Sequence, residues 1–402
     1  MRLRDLSGLT LSVAVVLVTP AAQADSWRLP TTTHYTSADG TWRLTVEPRA
    51  LSNQGAYFRD QLDRKEKPGG VDGDAQTAAI GTMERCVDGV CRRTWQRNLL
   101  NDVAPVEAIV TNEGRVMTLD NWHSMGFGPH AVVIYDTSGA SVATFALTDF
   151  LPKGYVMALP YSVSSMHWRD EARALAGGTR IAVPVVVPSD AADAFDEDTE
   201  YVDVVFDTVT GHATRPPARE WARAVQQAKV KLAAIREEAA AEHRRFVAPL
   251  HAPAPSDADG WFAYLREAFL RLDDGEKERP PTIKVLHQPG TTSAADSDRR
   301  MRAALRGARG DGGALVLGSP SPEALAALLD DMAGELSPRA LTGARLYLAL
   351  DDARFAHAST RLGALGATLI QVDPAKTIPQ RKERLADFEG LAAIPDDDAL
   401  FD

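Results

Sequence analysis

Three segments between residues 108 and 214 repeat one pattern: a β-rich run, a turn with Asn or Asp followed by Gly, and a second β-rich run. Val, Ile, Thr and Phe favour extended backbone, and Gly permits the positive φ of a tight turn. The segments span residues 108–119, 132–145 and 204–214. The repetition predicts antiparallel hairpins and constrains residues 25–216 to a β-rich domain.

Hairpins of this form resemble the blade hairpins of β-propellers, and the resemblance covers these three stretches only. A β-sandwich is built from the same kind of hairpin, and there are too few of them here for a full propeller. We therefore expect an antiparallel meander or sandwich with propeller-like hairpins.

A long amphipathic helix is predicted after the Pro216–Pro217 pair. Apolar residues recur at alternating steps of four and three across residues 219–247, from Trp221 to Phe246 with one interruption at Glu242, which is the spacing of a heptad seam. The seam could form a coiled-coil dimer, dock a protein partner or pack on the rest of the same chain. With the prolines that follow, this segment covers residues 217–256.

Apolar strands and helical segments alternate from residue 257 onward. Strands are predicted at 282–287, 314–317, 345–350 and 368–372, and helices at 261–272, 297–308, 322–336 and 353–365. Such alternation is typical of a parallel sheet with crossover helices. We predict a small α/β domain over residues 257–375, then a short helix and an acidic tail over 376–402, which makes the whole chain an α+β multidomain protein.

Residues 1–24 have the layout of a cleavable secretory signal peptide. Two arginines lie in the first four residues, an apolar run follows from Leu9 to Val18, and Ala22-Gln23-Ala24 has the small-x-small form of a cleavage site. The run is shorter than the roughly 20 residues that span a bilayer. We expect a soluble mature chain from Asp25, exported to the periplasm or the exterior, with no membrane span.

The only two cysteines, Cys86 and Cys91, flank an Asp88-Gly89 pair that strongly favours a type I′ hairpin turn. In such a hairpin the cysteines face each other as a non-hydrogen-bonded pair, with Cα atoms about 4.5 Å apart. That distance lies at the close end of disulfide geometry. In an oxidising compartment the pair predicts a disulfide.

The formal net charge of −11 makes nucleic acid a poor candidate for a partner. The chain also lacks a Gly-x-Ser-x-Gly elbow, a His-Glu-x-x-His pair and a phosphate-binding loop with its lysine. These observations provide no catalytic signature.

The densest polar cluster is the segment 120–130, which connects two of the predicted hairpins. Long loops on rigid β scaffolds often have functional roles. Asp120, His123 and His130 could offer a carboxylate and two imidazoles to a metal, or a base with its orienting acid, and Trp122 could contact a ligand. The alternative is a structural loop in which Trp122 fills the core.

A second set of candidates follows the predicted strands of the α/β domain, because ligands of open parallel sheets bind beyond the carboxyl ends of strands. Hydroxyl groups there could hold an anion, and paired carboxylates could hold a cation. The candidates are Thr291, Thr292, Ser319, Asp351 and Asp352. Each is also an ordinary helix-capping residue.

The sequence therefore predicts a cell-envelope protein that binds or scaffolds, with no cofactor and no assigned metal. A protein partner could dock through the helix at 219–247. The alternative is a metal-assisted hydrolase that uses Asp120, His123 and His130, so the question of enzymatic activity stays open.

Overall fold

The structure, a computed structural model, describes residues 28–63, 67–71, 76–162, 164–194, 196–255, 257–273, 280–308, 313–389 and 398–401. The predicted signal peptide, residues 1–24, lies outside the described residues. The chain divides into two compact units, the first formed by residues 1–235 and 396–402 and the second by residues 236–395. Among the described helices, none combines the length and apolar character needed to cross a bilayer.

The described residues of the first unit form three four-stranded antiparallel sheets, and in each sheet the strands are neighbours in chain order. The first sheet comprises β1 (Thr33–Thr36), β2 (Trp42–Glu47), β3 (Ile80–Val87) and β4 (Val90–Asn98). The second comprises β5 (Pro105–Val110), β6 (Val116–Asn121), β7 (Val132–Tyr135) and β8 (Ser141–Phe145). The third comprises β9 (Arg173–Ala174), β10 (Arg180–Val186), β11 (Tyr201–Asp207) and β12 (Ala213–Thr214).

The predicted β-rich architecture is confirmed. The three hairpins read from the sequence are β5–β6, β7–β8 and β11–β12. Each sheet has the strand order of a propeller blade, yet the described residues contain three such sheets, fewer than the roughly four to eight blades of propellers. A shared apolar core joins the first and second sheets, and it includes Leu44, Met83, Trp95, Val116 and Val133.

The predicted disulfide hairpin is also confirmed. Asp88 and Gly89 have φ values of 49° and 78°, as a type I′ turn requires at both central positions. Cys86 and Cys91 are direct cross-strand partners, joined by a disulfide, with Cα atoms 4.0 Å apart.

The described residues of the first unit form three helices before the long one: α1 (Gln54–Leu62), α2 (Lys153–Met157) and α3 (Asp190–Ala194). The predicted long amphipathic helix is confirmed as α4 (Ala218–Val247). Its small residues Ala224 and Ala228, with Leu232, are buried, and Trp221 stacks on Tyr155 at a centroid distance of 5.4 Å. The first half of the seam thus packs on its own unit.

The second unit is built on a parallel sheet in the order β13-β14-β15-β16. Its strands are β13 (Thr282–Val285), β14 (Ala314–Gly318), β15 (Arg345–Leu348) and β16 (Thr368–Gln371). Its helices are α5 (Ala258–Leu272), α6 (Ala294–Gly307), α7 (Pro322–Glu335), α8 (Asp352–Gly363) and α9 (Lys382–Glu389). The predicted small α/β fold with a parallel sheet is confirmed.

The sequential strand order determines the layers of this unit. Because parallel crossovers are right-handed and the order never reverses, α6, α7 and α8 share one face of the sheet, where their buried residues form one core with Leu315 and Leu346. Helix α5 covers the other face, where Leu265 and Phe269 join Val316 and Tyr347 in a second core. The sheet therefore has two edges, β13 and β16, and no point at which the strand order switches.

The last described segment lies within the predicted acidic tail and contacts the rest of the first unit. Asp398–Phe401 forms a 3-10 turn. The Phe401 ring lies so close to Gly154 of α2 that a Cβ atom built on this glycine would overlap the ring. The Lys229 ammonium lies 5.2 Å from the centroid of the same ring. An aromatic residue among the acidic ones explains the docking, since burial of its ring is favourable.

Candidate functional site

Asp120 lies in β6, inside the second sheet, with no exposed surface. Its Oδ1 accepts hydrogen bonds from the Gly126 backbone N–H and the Trp168 indole N–H, both at 2.8 Å. Its Oδ2 accepts a hydrogen bond from Arg169 Nε at 2.9 Å. Both carboxylate oxygens are therefore engaged within the protein.

The Arg169 guanidinium joins two carboxylates, since it also pairs with Glu107 of β5. Arg169 is itself buried, and its guanidinium carbon lies 5.7 Å from the centroid of the Trp168 ring. Burial raises the pKa of Asp120, while the charge of Arg169 and the hydrogen bond from Trp168 oppose that rise. The group is a buried ion network that ties β5, β6 and the segment before β9 together.

The loop after β6 closes tightly over this network. Gly126 adopts a φ of +76°, and a Cβ atom there would lie 2.8 Å from the Met166 Cβ and 3.0 Å from the Trp168 ring. Only glycine tolerates both the backbone conformation and the close approach. Asp120 and His123 also have positive φ, at 60° and 63°, and the surrounding contacts hold them there.

His123 and Trp122 lie in an apolar cluster with α1. The His123 ring, 5% exposed, meets the Phe58 ring edge-on at a centroid distance of 4.3 Å. His123 Nε2 lies 3.3 Å from Gln54 Nε2. The Trp122 indole N–H donates to the Arg28 carbonyl oxygen at 2.9 Å. Both predicted site residues are thus enclosed by neighbouring side chains.

His130 occupies a separate, partly buried position. Burial lowers the pKa of His130, and a hydrogen bond with the Leu100 backbone opposes that effect. No hydrogen bond in the described chain links His130 to Asp120 or His123. Within that same part of the chain, no three His, Cys, Asp or Glu side chains are grouped in a way that could hold a metal ion.

The candidates at the carboxyl edge of the parallel sheet mostly serve local structure. Ser319 is buried, donates to the Leu286 carbonyl oxygen at 2.8 Å and accepts from the Ser321 N–H at 3.0 Å. Thr291 and Thr292 are exposed, and Thr291 donates to the Gln288 carbonyl oxygen at 2.9 Å.

The two aspartates of this edge lie at the start of α8. Asp351 caps the helix by accepting from the Arg354 N–H at 3.0 Å. Asp352 accepts hydrogen bonds of 3.0 Å from both Gln371 Nε2 and Lys376 Nζ. The order of the described strands does not reverse, so these strands form no switch-point crevice of the kind in which open α/β sheets bind ligands.

A groove of about 510 Å³ lies along the free edge of β13, where the sequence analysis placed no candidate. Helix α5 forms one wall through Asp259 and Phe262, and helix α6 forms the other through Asp296 and Arg300. The Phe262 ring is 49% exposed. We call this feature the β13 groove.

The floor of the β13 groove offers unpaired backbone groups. Leu286 N–H donates to the Gly318 carbonyl oxygen at 2.8 Å, so it faces β14. Successive residues of a strand alternate in direction, and Ile283 and Val285 therefore turn their N–H and C=O groups to the open side. His287 follows the same alternation, and its N–H donates to Ser297 Oγ at 3.0 Å. In the described chain, no backbone hydrogen bond reaches the outer side of Ile283 or Val285.

The walls of the groove also contain unpaired charges. Arg300 pairs with Asp296 of its own helix at 2.7 Å. Lys284 and Asp259 take part in no ion pair among the described residues. Ile283 and Val285 pack with the α5 core, whereas Leu286 belongs to the α6 core. By alternation, the Lys284 side chain lies on the α6 side of the sheet.

One signal in the sequence could have located this groove. Residues 282–285 read Thr-Ile-Lys-Val, with a lysine inside an otherwise apolar strand. Charged residues, lysine above all, are typical of edge strands, whereas a central parallel strand is apolar on both faces. No such local signal marks Trp168 and Arg169 as the partners of Asp120.

A scan against known protein families finds no model that matches the chain. A search of curated proteins likewise finds none of significant similarity. The function must therefore be inferred from the geometry of the chain itself.

We predict that Asp120→Asn lowers the free energy of unfolding by about 3 kcal/mol, because it leaves the buried Arg169 with a neutral partner in place of a carboxylate. Urea unfolding of the purified protein, followed by tryptophan fluorescence, measures this loss. The matched control is Asp203→Asn, which breaks the exposed ion pair with Arg173, whose side chains are 42% and 52% exposed. That change should cost less than about 1 kcal/mol. Equal small losses for both variants would contradict a structural role for Asp120.

Proposed function

We propose that this chain is an exported, non-enzymatic binding protein of the cell envelope, and that its ligand lies in the β13 groove. The observation that carries the proposal is the contrast between two regions. Asp120 and His123 are engaged in internal contacts, whereas Lys284, Asp259 and the outer backbone of β13 have no partner in the described chain.

The contacts of Asp120 argue against a catalytic role for the 120–130 loop. A general base must reach the proton that it accepts, within hydrogen-bond distance of the substrate. Asp120 has no exposed surface, and it would have to release Arg169 or Trp168 before it could accept a proton or bind a metal. The metal-assisted hydrolase stays an alternative prediction, and no contact in the described chain favours it.

Two features support export. Residues 1–24 carry the signal-peptide pattern, and the chain contains a disulfide between Cys86 and Cys91. Structural disulfides persist in the periplasm and outside the cell, and they are rare in reducing compartments.

We predict that the mature protein begins at Asp25 and contains oxidised cysteines. The measurement is the intact mass of the protein purified from the periplasmic or extracellular fraction, before and after reduction and alkylation. A cytoplasmic protein that retains its first 24 residues, with both thiols free, would contradict export.

The binding proposal predicts that a photocrosslinker in the β13 groove captures a ligand in the cells that make this protein. The full-length chain would carry p-benzoylphenylalanine in place of Phe262, which is 49% exposed in the groove wall. We expect an adduct of defined mass after irradiation, because the groove holds its ligand against that side chain.

The matched control places the same crosslinker at Val230, an equally apolar position that is 62% exposed on α4. Val230 lies outside the groove and should give no adduct above background. Equal labelling from both positions, or none from position 262, would argue against the β13 groove as the binding site.

A further inference from the structure

We propose that the β13 groove receives an extended segment of a partner protein, which adds to the sheet as a fifth strand beside β13. The segment presents acidic side chains to the α6 wall and apolar side chains to the α5 wall. This inference rests on the proposed function, because it identifies the class of ligand that the groove binds.

The backbone of β13 provides the first argument. Ile283 and Val285 direct two N–H donors and two C=O acceptors into the groove. They are two residues apart, which is the spacing at which an adjacent strand presents its own hydrogen-bonding groups. An extended peptide can satisfy all four groups at once, as in other proteins that bind peptides by strand addition.

The two helices provide the second argument, because they determine where a bound strand would place its side chains. Successive side chains of a strand point to opposite faces of the sheet. One set would face α5, and the other would face α6. The half-exposed Phe262 lies on the α5 wall, so apolar side chains on that face would bury its ring.

Charge provides the third argument. On the α6 side, Lys284 has no carboxylate partner among the described residues, and the single carboxylate of Asp296 is shared by Arg299 and Arg300. Among the lining residues of this side, Lys284 and Arg300 therefore outnumber the single carboxylate of Asp296, whereas the exposed carboxylate of Asp259 lies on the α5 wall, which the apolar side chains would face. Acidic side chains of the added strand would neutralise the excess, and complementary charge favours one partner and one register over others.

The same charge argues against a second copy of this chain as the occupant. In an antiparallel pair of β13 strands, the outward groups of Ile283 would bond to those of Val285 in the other copy. That register puts the two Lys284 side chains directly opposite each other on one face. Like charges at directly opposed positions destabilise a sheet, so the edge is suited to a different, acidic strand.

The basic hairpin β3–β4 is a weaker candidate for strand addition. Strand β4 is also an edge, and it exposes Arg92, Arg93 and Arg97. A bulge interrupts its pairing with β3 between Met83 and Glu84. A bulge twists an edge away from a partner strand, whereas the pairing of β13 with β14 is regular and the edge lies between two walls.

The test uses a fluorescein-labelled seven-residue peptide that alternates Val and Glu, with fluorescence anisotropy as the readout on the full mature protein. A peptide that alternates Val and Lys has the same strand propensity and the opposite charge. We expect the Val–Glu peptide to bind at least ~10-fold more tightly. Lys284→Glu should remove or reverse this preference, whereas Lys153→Glu, at an exposed position of α2, should leave it unchanged.

Backbone methylation distinguishes strand addition from a side-chain interaction. In one series all Val residues of the peptide are N-methylated, and in the other all Glu residues are. A strand turns alternate N–H groups to its neighbour, so we expect one series to lose binding and the other to retain it. Loss in the Val series would indicate antiparallel addition, and loss in the Glu series would indicate parallel addition.

Equal binding of both methylated series, or equal binding of the Glu and Lys peptides, would overturn the inference. If position 262 captures a ligand in cells while no alternating peptide binds, strand addition is wrong and the binding function survives. If the crosslinker at position 262 forms no adduct and the peptides also do not bind, both the binding function of the groove and strand addition are wrong.

Discussion

The packing of the first unit depends on the ion pair and hydrogen bonds that neutralise the buried carboxylate of Asp120. An ionised side chain removed from water is costly unless it is paired and hydrogen-bonded. Asp120 meets this requirement with three donors from two parts of the unit: the Gly126 N–H in the following loop, and the Trp168 indole and Arg169 guanidinium in the segment before β9. The carboxylate therefore holds β6, its following loop and the segment before β9 together.

The second unit obeys a different constraint, which is the order of its strands. A parallel sheet whose strands follow chain order has all its crossover helices on one face and an open edge at each end. Helices α5 and α6 extend past β13 on opposite faces and turn that edge into a groove. Among the described residues, the chain thus combines a β-rich unit whose Asp120 is fully engaged in internal hydrogen bonds and an α/β unit whose β13 edge has backbone groups without a protein partner.

Local patterns in the sequence predict much of the fold. Paired β-rich runs around a Gly-containing turn identify the hairpins, and Asp88-Gly89 determines the turn that places Cys86 opposite Cys91. The role of Asp120 could not be predicted in this way. Its partners Trp168 and Arg169 lie 48 and 49 residues further along the chain, and a polar loop has the same composition whether it is open or closed. The contact between Phe401 and Gly154 is equally non-local.

The β13 groove could have been anticipated in part, because Lys284 interrupts an apolar strand and thereby marks an edge. Whether that edge is covered depends on α5 and α6, whose positions relative to the strand follow from tertiary packing. The residue types therefore indicate that β13 is an edge strand, whereas the walls that make this edge a groove could not be predicted from them.

Hydrogen exchange at individual backbone amides of the second unit tests the central claim most directly. We predict that the Ile283 and Val285 amides exchange rapidly in the free full-length protein, while the Leu286 amide, bonded to Gly318, exchanges slowly. The Val–Glu peptide should protect Ile283 and Val285 and leave Leu286 unchanged. If the Ile283 and Val285 amides exchange as slowly as the Leu286 amide in the free protein, the edge of β13 is already hydrogen-bonded. That result would contradict the proposal that this chain binds an added strand.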